Sequence, residues 1–122
     1  MAKTKIVNFN DGFIQVYEEN VKKTNFGAKT NPTGLDNLKF IVKLAYTEMT
    51  KRLQDLEFAE ANSRSLSLKV KTRLYTISND YKVVLNNTLY DIITVDIDRP
   101  NRVMYLYLEE VRKIEVKADE QD

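Results

Sequence analysis

An all-β, mainly antiparallel fold is what this sequence predicts: a small β-barrel or sandwich of about six strands with long early loops and room for one short helix. Three observations carry that expectation. Residues 65–75, SLSLKVKTRLY, alternate strictly, with Leu66, Leu68, Val70, Thr72 and Leu74 on one side and Ser65, Ser67, Lys69, Lys71, Arg73 and Tyr75 on the other; only a strand of period two gathers such a set on one face. The pair Asn86 and Asn87 separates two β-forming runs, and asparagine tolerates the positive φ that a two-residue hairpin turn demands. The stretch RVMYLYLEEVRKIEV, beginning at Arg102, alternates again, with Met104, Leu106 and Leu108 opposing Val103, Tyr105 and Tyr107.

Taken in order, residues 12–17 (GFIQVY) are β-branched and aromatic and predict a short first strand. The next segment, 18–37, contains Gly27, Pro32 and Gly34 among polar residues and predicts a long connection; connections of that length in small domains are commonly functional. Residues 38–49 place Phe40, Val42, Leu44 and Tyr46 opposite Lys39, Ile41, Lys43 and Ala45, a second and longer strand. In residues 50–64 Leu53, Leu56 and Phe58 no longer alternate, and Gln, Glu, Ala, Lys and Arg favour a short helix or an ordered loop. The alternating stretch from Ser65 runs to Tyr75 or Ile77, residues 81–85 and 88–96 form the hairpin around Asn86 and Asn87, and DRPN at 98–101 turns the chain into the final strand. Closing these strands on themselves hides their edges.

The 122 residues suit one domain, spanning 1–122, with a flexible tail near 117–122. Nineteen Lys and Arg against eighteen Asp and Glu leave a net charge of +1, so affinity for phosphate has to come from a local basic face. No cysteine means no disulfide, thiolate zinc site or thiol nucleophile. No histidine removes the commonest general base and metal ligand, so no ordinary catalytic triad can be built. No apolar run reaches the length of a secretory or membrane-spanning segment, and the expectation is a soluble, non-enzymatic protein with no cofactor and no membrane partner.

Four constellations have both a chemical and a plain structural reading. Lys69, Lys71 and Arg73 project at two-residue intervals, near the spacing of phosphates in an extended nucleic-acid strand; the plain alternative is a polar sheet face paired locally with Glu48, Glu109 or Glu110. Asp96 and Asp98 could offer oxygens to a hard cation, or simply form a polar turn. Tyr105 and Tyr107 could stack bases, or pack on a sheet face or interface. The 50–64 segment mixes Lys51, Arg52, Asp55, Glu57, Glu60 and Arg64 with apolar anchors, which fits either a surface helix over the barrel or a contact element for a neighbouring subunit.

Four blocks in order, NFNDGFIQVYE, FIVKLAYTEMTKRLQDLEFAE, SLSLKVKTR and LYDIITVDID followed by RVMYLYLEEVRK, resemble the head–tail joining or head-closure (stopper) proteins of long-tailed bacteriophages over nearly the whole chain. The resemblance implies a small β-barrel that assembles with copies of itself into a ring, dodecameric in the virion, below the portal or its adaptor protein. Such a ring closes the DNA-filled head and docks the tail. It implies partners in the portal or adaptor and in the tail-terminator or tail proteins, with packaged DNA passing through the channel, and a place in the virion neck after assembly in the host cytoplasm. By position in the strand order, Lys51, Arg52, Gln54, Asp55 and Glu57 become the candidate channel or inter-subunit loop, and Lys69, Lys71 and Arg73 a candidate charged interface strand. A tail-terminator or tail-completion protein of the same neck is the related alternative, and a small-barrel nucleic-acid-binding module the alternative of another class.

Overall fold

Among the described residues there are six strands and one helix: β1 (Gly12–Glu19), β2 (Leu38–Met49), α1 (Leu53–Ala61), β3 (Leu68–Arg73), β4 (Lys82–Leu85), β5 (Thr88–Asp98) and β6 (Val103–Lys113). The structure is a computed structural model and describes residues 9–19 and 38–114. Most of the 18–37 connection and all of the 117–122 tail lie outside the described residues. Every neighbouring pair of strands is antiparallel, and the order β1-β2-β3-β6-β5-β4 closes on itself because β1 pairs with both β2 and β4. The all-β expectation of about six strands therefore holds, and among the described residues each strand has a neighbour on both sides, although residues 38–45 of β2 pair with β1 alone.

Alternation puts one side chain in two inside the ring. Ile14 and Val16 of β1, Leu44 of β2, Val70 of β3, Val83 of β4, Ile92 of β5, and Met104, Leu106 and Leu108 of β6 form one continuous core. Each such side chain contributes about 1.5–3 kcal/mol by leaving water. Three register shifts bend the sheet: one between Val16 and Tyr17 in the β1–β2 pairing, and two in the β5–β6 pairing, between Leu89 and Tyr90 and between Ile92 and Thr94. An extra residue on one strand sharpens local twist, which lets so few strands curl into a closed ring.

The turns follow from residue chemistry. Asn86 and Asn87 adopt φ of 51° and 61°, both in the left-handed region, as a type I′ hairpin turn between β4 and β5 requires. At the far end of β5 the Arg102 N–H donates to the Arg99 carbonyl at 3.0 Å, with Pro100 at the second turn position and Arg102 itself at φ 57°. Asp98 closes this turn by accepting from the Asn101 N–H at 3.3 Å and from its side-chain amide at 2.8 Å. That geometry is the polar-turn reading of Asp98. Gly12 opens β1 at φ 128°, where a Cβ would lie 3.4 Å from the Tyr46 ring; the backbone conformation is one that only glycine adopts without strain.

The third strand starts later than its alternation implies. Leu68, not Ser65, is its first residue, and the face changes between Leu66 and Leu68. Leu66 is buried, but in a separate cluster with Ala59 and Tyr107 outside the ring. Before the strand begins, the Ser67 N–H still donates to the Leu108 carbonyl at 2.8 Å, while its hydroxyl accepts from the Glu110 N–H at 2.9 Å.

Helix α1 ends in a Schellman motif: the Arg64 N–H donates to the Ala59 carbonyl at 2.8 Å and the Ser63 N–H to the Glu60 carbonyl at 2.9 Å. Ser63 sits at φ 59°, the position glycine usually takes. Ser63→Gly relieves the Cβ strain and is expected to raise stability by about 0.5–1 kcal/mol, net of glycine's greater freedom in the unfolded chain. A urea titration of the two proteins measures it.

Candidate functional site

Helix α1 packs with its polarity reversed. A surface helix ordinarily turns its apolar stripe inward, yet the buried residues of α1 are Asp55 and Ala59, one turn apart on one face. Its large apolar side chains point out: Leu53 is 70% exposed, Phe58 47% and Leu56 39%. Gln54, Glu57 and Glu60 are exposed beside them.

A buried polar cluster explains why the helix nevertheless stays down. The Asp55 carboxylate accepts from Lys69 Nζ at 2.9 Å, from the Arg52 backbone N–H at 3.0 Å, from Arg52 Nη2 at 3.2 Å and Nε at 3.3 Å, and from the Tyr107 hydroxyl at 3.4 Å. Asp55 stands at the third helical position, so its bond to the N–H of Arg52 is half of a capping box; Arg52, which has no acceptor on its side chain, cannot return the other half. Lys69 is 6% exposed, with its ammonium 5.1 Å from the Tyr107 ring centroid and 5.7 Å from that of Tyr105. Charge pairing and two aromatic faces together offset the cost of burying the ammonium. At the other end of the helix Arg64 holds Glu109 through Nε and reaches Asp91 at 3.7 Å, while Asp91 accepts from Lys82 at 2.7 Å. Of these partly exposed groups Arg64, Lys82 and Asp91 line a cleft of about 550 Å³, and each pair contributes at most about 1 kcal/mol.

Burial alone pushes the Asp55 carboxyl up. The Arg52 side chain, the Arg52 backbone N–H and the Lys69 ammonium outweigh it and hold the group well below its ordinary value of 3.8. A carboxyl depressed on folding stabilises the fold above its unfolded pKa and loses that contribution as pH falls towards the folded one. Unfolding free energy is therefore expected to be level above about pH 5 with respect to this group and to drop below about pH 4. Asp55→Asn, less stable at neutral pH, should lose less over the same acid window, which urea titrations at a series of pH values measure.

The structure brings together some of the expected site residues and separates others. Arg52 and Asp55 join Lys69 in the buried cluster. Lys51 is exposed and donates to the Ser67 carbonyl at 3.0 Å, so the start of the segment is tied to the barrel. Gln54 and Glu57 face away from it. The three cations of β3 do not share one environment: Lys69 lies under α1, Lys71 is half-buried opposite Thr47 of β2, and Arg73 is exposed. None of the three pairs with Glu48, Glu109 or Glu110 among the described residues; Glu109 is taken by Arg64, and Glu110 lies 3.9 Å from Lys113. Tyr107 is 7% exposed and has no free face for a base. Tyr105, Tyr107, Arg52, Lys69 and Asp96 instead line a groove of about 400 Å³ at the start of α1. Among the described residues there is no group of three or more acidic side chains placed to hold a metal ion.

Sequence reasoning missed the partner of Lys69. The one signal for it was a carboxylate at the third position of a helix, which marks a start-of-helix bond but says nothing about a lysine fourteen residues away. No protein-family model matches this chain, and no curated protein matches it.

Proposed function

We propose that this chain is a structural protein of the tailed-bacteriophage neck, assembling as a ring below the portal or its adaptor and helping to close the filled head and join it to the tail. The observation that carries the reading is α1: a helix fastened to the barrel by buried charge and presenting Leu53, Leu56 and Phe58 to the outside. A helix that spends its apolar side chains on the outer surface is suited to meeting another protein surface. The resemblance of the four sequence blocks supplies the kind of assembly. In this reading the 50–64 segment works between subunits, since Arg52 and Asp55 are engaged within the fold and α1 lies against the barrel.

The nucleic-acid alternative needs Lys69, Lys71 and Arg73 in one row, and with Lys69 paired to Asp55 that row is reduced to two cations. Electron microscopy of purified neck complexes tests the proposal. A ring of this chain between portal and tail is expected, and its absence from every ring in that region defeats the reading. Loss of the protein should leave empty or leaking heads if it closes them, and packed heads beside normal tails if it joins them.

A further inference from the structure

We infer that the outer face of α1 binds a second copy of this chain on the outer face of β1, β2 and β3, a head-to-tail contact whose two sides are complementary in charge as well as apolar. The inference rests on the ring reading and names the surfaces that make the ring.

One side is Leu53, Leu56, Glu57 and Glu60. Their spacing of three, four and seven residues places them on one stripe of α1, and both glutamates are exposed without an ion-pair partner among the described residues. The other side lies on the barrel wall. Ile14, Leu44 and Val70 point into the core, so Phe13, Lys43, Lys71 and Arg73, at odd offsets from them, point out. Phe13 is 57% exposed, and the Lys43 ammonium sits 4.8 Å from its ring centroid. Thr47 pairs with Lys71 and Phe13 with Ala45 across neighbouring strands, which joins these residues into one surface. Lys43, Lys71 and Arg73 form no ion pair with any carboxylate among the described residues.

Among the described residues one molecule thus carries an apolar patch with two anions lacking an ion-pair partner, and a second patch around Phe13 with three cations lacking one. The two share no residue, so the helix patch of one copy can meet the wall patch of the next head to tail, an arrangement that leaves one free patch of each kind to recruit a further copy. Repetition of such a heterologous contact gives a closed ring when the rotation closes. Opposite charges around an apolar centre fix the register of the contact and speed encounter.

The test uses the full chain at low salt. Isotope-labelled and unlabelled protein are mixed at the highest soluble concentration and treated with a zero-length carbodiimide, and mass spectrometry should find links of mixed isotope from Glu57 or Glu60 to Lys43 or Lys71. Two reversals then probe direction: Glu57→Lys with Glu60→Lys on the helix, and Lys71→Glu with Arg73→Glu on the strand. Each alone is expected to weaken self-association in sedimentation by about tenfold or more. An equimolar mixture should recover it, because each reversed face then meets its complement and a misfolded variant could not be rescued this way. Absence of mixed-isotope links at these residues, or a mixture no better than its parents, overturns the inference. Association through these faces by a protein missing from the virion neck would defeat the functional reading alone, and a neck ring built on other contacts would defeat this inference alone.

Discussion

Asp55→Ala is expected to cost about 3–5 kcal/mol, the effect of removing one partner from a buried ion pair. The loss has a definite origin. Lys69, 6% exposed, keeps two tyrosine rings but no anion, and the Arg52 N–H loses its acceptor at the start of the helix. Because α1 touches the barrel mainly through this cluster and the small one of Ala59, Leu66 and Tyr107, the helix should loosen before the strands do. Hydrogen exchange should show protection falling across residues 53–64 while β1, β4 and β5 keep theirs. Replacing both partners, Asp55→Leu with Lys69→Met, removes the stranded charge and should return stability to within about 1–2 kcal/mol of the parent. If Asp55→Ala costs less than about 1 kcal/mol, the cluster does not fasten the helix.

Leu106→Ala should be equally costly and different in kind. Leu106 is fully buried at the middle of β6, flanked by Val70 of β3 and Val95 of β5. Truncation leaves a cavity inside a closed ring whose hydrogen-bonded walls collapse poorly, so about 3–4 kcal/mol is expected. That corresponds to a fall on the order of 15 °C in Tm for a domain of this size. Here protection should fall together in all six strands, since each contributes side chains to the one core. A loss confined to β6 and its neighbours would show that the ring does not fold as a unit.

The contrast between these two substitutions also marks what could be read from sequence. Period-two alternation was enough for the strands: Leu38–Met49 is a strand over its full expected length, and Met104, Leu106 and Leu108 do point inward. Asn86 and Asn87 announced their turn because positive φ is a local property of the residue. What alternation reports, however, is a face, and whether that face meets water depends on what the rest of the chain lays over it. Lys69 and Tyr107 fall on the outer face as their patterns say, and are buried there by a helix whose docking depends on a contact between residues 55 and 69. Leu66 departs from the core face that its alternation with Leu68 implies, because that alternation is broken where the chain leaves the helix and enters the sheet. The reversed polarity of α1 was illegible too, because an apolar residue in a helix normally signals the buried side.

Of the candidate site, the mixed charge and apolar anchors of residues 50–64 were visible, while the division of labour among them was not. Asp55 and Arg52 serve the fold, and Leu53, Leu56, Glu57 and Glu60 stay exposed. No periodicity distinguishes those two sets. The difference lies in which side of a nine-residue helix the Lys69 ammonium attracts.

The central claim, that this barrel is a ring subunit of a virion neck, is tested most directly by electron cryomicroscopy of neck complexes taken from mature particles. The account predicts a ring between the portal or its adaptor and the tail whose density fits this six-stranded fold, with α1 at each subunit boundary. Neck rings fully occupied by other chains, with no density for this one, would contradict it.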